Sequence, residues 1–213
     1  MFFRHILTIT CISYFISSSE VNPLNVKVTT DAVLVVGRSD VNLATCTAST
    51  SQSPAEVSWN LGTLSDSVKE VKNTVENQDE MYTVSSSLIG VPTVAMNQLN
   101  VQCVARHHSL KEELAIDHKM VVHYSPQLVY ITPLLSGDGF QCEADANPKA
   151  MLFRWKRMNQ TIHNNAIKTE GNRLYFLKPT SDLNGLYICE ASNEYGIGTG
   201  SLYWQKGGFH SEL

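Results

Sequence analysis

The stretches CEADANPKAMLFRW, Cys142 to Trp155, and LNGLYICEASNEYG, Leu183 to Gly196, decide how this chain folds. Phe140, Cys142 and Ala144 alternate with polar residues, and Phe153 and Trp155 then alternate with Arg154 and Lys156. A period of two puts the apolar set on one face of a strand and the charged set on the other. Asn147 and Pro148 mark a turn between these runs, and Leu174 and Phe176 continue the alternation downstream. The offset of 13 residues from Cys142 to Trp155 recurs from Cys46 to Trp59. Each tryptophan is followed by another cysteine, Cys103 and Cys189, closing separations of 57 and 47 residues. In the earlier copy Leu99, Val101, Cys103 and Ala105 share a strand face, Val57 joins Trp59, and Ser51 to Pro54 supply the turn. No helical period of comparable length competes, so the chain reads as two β units built on one internal ruler.

Of five cysteines, Cys11 falls in a different setting. MFFRH, then the apolar ILTITCISYFI, then SSS has the basic, apolar and small-residue order of a secretory signal peptide. Cleavage with Ser17 and Ser19 at the -3 and -1 positions makes residues 1–19 the signal and Glu20 the first mature residue. Eleven apolar residues fall short of the roughly 20 that cross a bilayer. No later segment is long and apolar enough to span a membrane. The remaining four cysteines are thus expected in an oxidising, extracellular compartment. The 213 residues are 43% hydrophobic and 17% charged, enough apolar material for sizeable cores. Sixteen basic against 20 acidic residues, net charge -4, argue against the broad basic surface of a nucleic-acid binder.

The Cys, Trp, Cys pattern resembles the framework of immunoglobulin sandwiches, in which cysteines of strands B and F are bridged and a strand C tryptophan packs on the disulfide. That resemblance implies an all-β fold of two tandem immunoglobulin-like β-sandwiches, with disulfides Cys46–Cys103 and Cys142–Cys189 and core tryptophans Trp59 and Trp155. Loops of these lengths make each bridge worth roughly 4 kcal/mol in the chain-entropy model. A zinc site is disfavoured because no C-x-x-C or paired Cys and His spacing occurs, and no metal or cofactor is expected. Tyr187, two residues before Cys189, fits a tyrosine corner; Val101 holds the matching place in the first unit, where packing alone is expected to fix the corner. Asn193 and Gly196 fit a tight hairpin. The expected division is residues 20–124, residues 125–206 and a tail, 207–213. A last strand of the first unit from Leu114 to Val122 leaves only His123 to Pro126 as a join, which predicts a semi-rigid, elongated rod.

The two quoted strings are similar to the membrane-proximal third immunoglobulin domain of nectins; Leu183 stands six residues before Cys189, where many immunoglobulin domains carry Asp. LATCTAST (43–50), VSWNLG (57–62), GVPTVAMNQLNVQCVARHH (90–108) and KEEL (111–114) resemble the second nectin domain. The resemblance covers Asn25 to Gln205. It departs from the family between Pro126 and Cys142, a run several residues shorter than usual, which predicts an incomplete first strand in the second unit. The nectins' variable-type first domain, transmembrane helix and cytoplasmic tail have no counterpart in these residues. The resemblance implies cell–cell adhesion or cell-surface recognition through protein contacts. Expected partners are other nectin-like or immune cell-surface proteins, homophilic or heterophilic. It also implies a place at the cell surface in a longer form, or secretion if the chain is complete. The alternative is a secreted decoy or immune-receptor ligand of the poliovirus-receptor-like group.

Catalytic motifs are missing: there is no G-x-S-x-G, no H-E-x-x-H and no Walker loop, so no enzyme activity is expected. Gly196, Gly198 and Gly200 look superficially like a phosphate loop but precede the strand-like SLYW. His107, His108, His118 and His123 read as surface histidines, with His107 and His108 expected to point to opposite faces. Asn159 begins the sole N-x-S/T sequon and is a candidate glycosylation site. The mostly acidic run from Asp66 to Glu80 and the basic run from Arg154 to Arg157 read as solvated strand and loop faces.

Overall fold

The computed structural model describes residues 24–37, 39–51, 53–158, 162 and 165–207; the expected signal peptide and Asn159 lie outside them. The strands are β1 (Asn25–Thr29), β2 (Leu34–Val35), β3 (Val41–Ser51), β4 (Glu56–Asn60), β5 (Val68–Gln78), β6 (Met81–Gly90), β7 (Asn100–Arg106) and β8 (Leu114–Lys119). They continue as β9 (Val122–Pro133), β10 (Gly139–Asn147), β11 (Leu152–Arg157), β12 (Ile167–Glu170), β13 (Arg173–Phe176), β14 (Gly185–Asn193) and β15 (Gly196–Trp204). In the first sandwich a sheet of order β1-β3-β6-β5 faces one of order β4-β7-β8. In the second, β12-β13-β10-β9 faces β11-β14-β15. Both match the ABED and CFG arrangement of a seven-stranded immunoglobulin domain.

Alternation explains the two cores. On β3 and β7 Cys46, Ala48, Val101, Cys103 and Ala105 point inward, and with Leu43, Leu88, Met96 and Met120 they build an interior that is largely aliphatic. The second interior is aromatic: Phe176 stacks on Trp204 with centroids 4.2 Å apart and meets Tyr187 and Phe140 edge-on. Both geometries are favourable for aromatic pairs.

Strand β9 corrects two expectations. The first unit's last strand stops at Lys119, short of the expected Val122, and β9 then runs unbroken from Val122 to Pro133. Its first residues pair in parallel with β2, and its remainder pairs with β10 from Tyr124 to Pro133. The first strand of the second unit is therefore long, although the run to Cys142 is short. Pro126 is accommodated because the β9–β10 register shifts between Asp145 and Asn147, where no ladder bond is asked of its missing N–H.

The three glycines of β15 have a packing reason. A Cβ on Gly198 would sit 2.5 Å from the Pro126 carbonyl oxygen, and one on Gly200 2.6 Å from that of Val129. At Gly196 it would meet Ser125 at 3.0 Å. Spaced by two, the glycines share the strand face on which β9 lies, and side chains there would hold the two backbones apart.

Candidate functional site

The first feature that sets what this molecule presents is the bridged core of each unit. Cys46 and Cys103 are disulfide-bonded with Cα atoms 6.2 Å apart, and Cys142 and Cys189 with Cα atoms 6.5 Å apart. Trp59 pairs opposite Cys103 and Trp155 opposite Cys189 in their ladders. The two indoles differ: Trp59 Nε1 donates to Ser86 Oγ at 3.0 Å, whereas buried Trp155 Nε1 has no hydrogen-bond partner among the described residues. Tyr187 is wholly buried and its hydroxyl donates to the Leu183 carbonyl at 2.7 Å. Burial pushes its pKa up. In the first unit the corresponding turn is not held by packing alone. Gln98 N–H donates to Met120 O, and Met120 N–H to Leu99 O, so backbone bonds to the chain after β8 replace the tyrosine.

The second feature, missed in the sequence, is a polar network where the units meet. Asn97 Oδ1 accepts from Val122 N–H at 3.1 Å and from Asn147 Nδ2 at 3.2 Å. Asn147 Nδ2 also reaches Val122 O, while Asn193 Nδ2 donates to Tyr124 O and Pro148 O, each at 2.8 Å. His123 Nδ1 and the Tyr195 hydroxyl are 2.9 Å apart. Tyr124 donates to Asp145, and its pKa is raised by burial first and by that carboxylate second. Asn147 and Asn193 read as turn residues in the sequence; their amides bond backbone carbonyls of β9, which only the fold brings near. Beside this junction lies a concavity of about 480 Å³ lined by Thr30, Asp31, Val33, His118, Val121 and His123 among others. His118 there sits 3.2 Å from Thr30 Oγ1 with its pKa lowered by burial.

His107 and His108 do not point to opposite faces. They follow β7 rather than lie within it, their rings are 4.1 Å apart, and both are 3.1 Å from Ser53 Oγ. Among the described residues no group of three or more His, Cys, Asp or Glu side chains could hold a metal, and no helix is long and apolar enough to cross a membrane.

The outer sheet faces are the surfaces available to a partner. On the first unit Asn60, Gln102 and Asp117 form a hydrogen-bonded row across β4, β7 and β8, with Arg106 paired to Glu113 at its side. The matching face of the second unit is more apolar: Leu152, Ile197 and Tyr203 are 72%, 68% and 66% exposed around the Lys156–Glu190 ion pair. Arg154 and Lys156 lie on this outer face while Phe153 and Trp155 turn inward. Across the opposite sheet Tyr130 donates to Glu143 at 2.6 Å and Gln141 adds a second bond, which together lower the carboxyl's pKa. β5, the expected solvated stretch, is one long strand exposed almost throughout, at the edge of its sheet.

Two bridged sandwiches in tandem define an immunoglobulin-domain protein. Residues 20–113 match the model of the CD80-like C2-set immunoglobulin domain. The chain is 27% identical over 169 residues to nectin 1b of Danio rerio, covering 74% of this chain and 29% of that protein. It is 30% identical over 161 residues to cell adhesion molecule 1 of Mus musculus, covering 71% and 34%. The chain thus spans about a third of the length of the curated relatives it matches. The mouse nectin-like molecule 4 ectodomain, immunoglobulin domains 1 to 3, has the same fold, with a TM-score of 0.66 at 17% identity over 90% of this chain and 67% of that one. Residues 20–113 thus match a C2-set immunoglobulin domain, and the chain's sequence relatives are nectins and cell adhesion molecules.

Proposed function

We propose that the chain is part of a cell-adhesion or cell-surface recognition protein that works by protein–protein contact, with no chemical turnover. The observation that carries this reading is the similarity to nectin 1b across 169 residues, a span longer than either sandwich alone. Its partners are nectin-like or immune cell-surface proteins, itself included, and it acts outside the cell. The units at residues 20–124 and 125–206 are held as one arm by β9 and the asparagine network. The mature chain is proposed to start at Glu20, after a signal peptide of residues 1–19. Asn159 is proposed as the glycan acceptor of the second unit.

A binding screen of the purified chain against nectin-like ectodomains and immune receptors, with sedimentation velocity alongside, tests the reading. Saturable binding to an immunoglobulin ectodomain supports it; binding to immune receptors alone moves the assignment to the decoy or ligand class; no binding to any of them overturns both.

A further inference from the structure

The 11-residue strand β5 has one neighbour, β6, and an open edge. Its register is regular from Glu70 to Gln78, the bulge being confined to Val68–Glu70. Asp79 and Glu80 have φ of 50° and 63°, the two-residue type I′ turn that makes the flanking Gln78 and Met81 a hydrogen-bonded pair. Counting back by twos, Glu76, Thr74 and Lys72 bond to β6. Val71, Asn73, Val75 and Asn77 therefore aim their N–H and C=O groups at the open edge. Exposed edges usually deter pairing with a proline, a central bulge or charges that repel a copy. This one has neither proline nor central bulge, and its charges alternate in sign: Lys69, Glu70, Lys72, Glu76.

We propose that this edge is a lateral self-association site, at which β5 pairs antiparallel with β5 of a second copy about a two-fold axis at Thr74. That register uses all four outward residues on each strand, Val71 opposite Asn77 of the second copy and Asn73 opposite its Val75. The same register sets Lys72 opposite the second copy's Glu76 on both sides of the axis, and Thr74 opposite Thr74, in the closer, non-hydrogen-bonded pairs. Among the described residues neither Lys72 nor Glu76 has an ion-pair partner within its own chain. Val75, 61% exposed, becomes a diagonal neighbour of both Val75 and Val71 of the second copy, and Val71, 45% exposed, of its Val75. Other registers lose this match. An axis at Asn73 places Glu70 against Glu76, and an axis at Val75 leaves Val71 unpaired and takes Lys72 off Glu76. No N-x-S/T sequon falls in β5, so the strand itself carries no N-glycan. The site adds a lateral partner to the recognition reading without depending on it.

Sedimentation velocity of the purified chain over a wide concentration range tests the edge separately from any adhesive binding. A concentration-dependent monomer–dimer shift is expected. Lys72→Glu or Glu76→Lys alone puts two like-charge pairs across the axis and should weaken association by about tenfold or more. The double exchange Lys72→Glu with Glu76→Lys restores the opposite pairing and should restore the dimer, which a general charge or folding effect would not do. As a second readout, Thr74→Cys should form an intermolecular disulfide under mild oxidation while Gln78→Cys does not, since only the residue on the axis meets its own copy. A chain that stays monomeric throughout, or a dimer indifferent to the single exchanges, overturns the proposal.

Discussion

At the scale of single residues, the sharpest contrast is between side chains that have found a partner and those that have not. Tyr187 buries its hydroxyl against the Leu183 carbonyl, so Tyr187→Phe strands a buried acceptor. It should cost about 1–3 kcal/mol, read as a lower denaturant midpoint at unchanged m-value. Tyr187 was legible in the sequence because its place is set by an offset from Cys189. The unpartnered Trp155 Nε1 was not, because the partner that Trp59 enjoys, Ser86, lies across the sandwich on another strand. His118 gives a pH prediction. Burial lowers its pKa, so the unfolded chain binds a proton there before the folded chain does. Stability is therefore full above the unfolded pKa near 6.5 and falls as the pH drops toward the lower folded value. His118→Gln should flatten that part of a melting-temperature profile between neutral and mildly acidic pH; an unchanged slope would locate the titration elsewhere.

At the scale of elements, β15 and β9 depend on each other. Gly198→Ala forces a methyl to 2.5 Å from the Pro126 carbonyl, where neither backbone can yield cheaply. A loss of about 1–3 kcal/mol is expected, against a change within about 0.5 kcal/mol for Thr199→Ala on the exposed face, both measured by denaturant unfolding. Strands that alternate were readable in advance: Phe153 and Trp155 inward, Arg154 and Lys156 outward. β9 was not, since Tyr124, Ser125 and Pro126 look like a join until the bulge in its pairing with β10 is seen to excuse the proline. The histidine pair failed for a related reason. Strand alternation does not extend to His107 and His108, because β7 ends at Arg106 and the loop turns both rings to Ser53.

At the scale of the whole molecule, the resemblance to nectins was carried by strings around the cysteines, while the surfaces a partner would meet depend on side chains gathered from separate strands. Leu152, Ile197 and Tyr203 have no common spacing, and only the sheet order β11-β14-β15 collects them. The junction likewise rests on Asn97, from the turn before β7, and on Asn147 and Asn193, the last residues of β10 and β14. If that network fixes the arm, small-angle scattering should give a radius of gyration well above the roughly 17 Å of a compact particle of this length. Asn97→Ala, which leaves Val122 N–H unpaired, should broaden the distance distribution; a compact, unaltered particle would refute the rigid arm. The central claim, recognition by protein contact, is tested most directly by displaying the chain on beads, oriented through its carboxyl end, and measuring clustering with itself and with beads carrying nectin-like ectodomains. The account predicts clustering that soluble chain competes away. Dispersed beads at densities where nectin ectodomains cluster would contradict it.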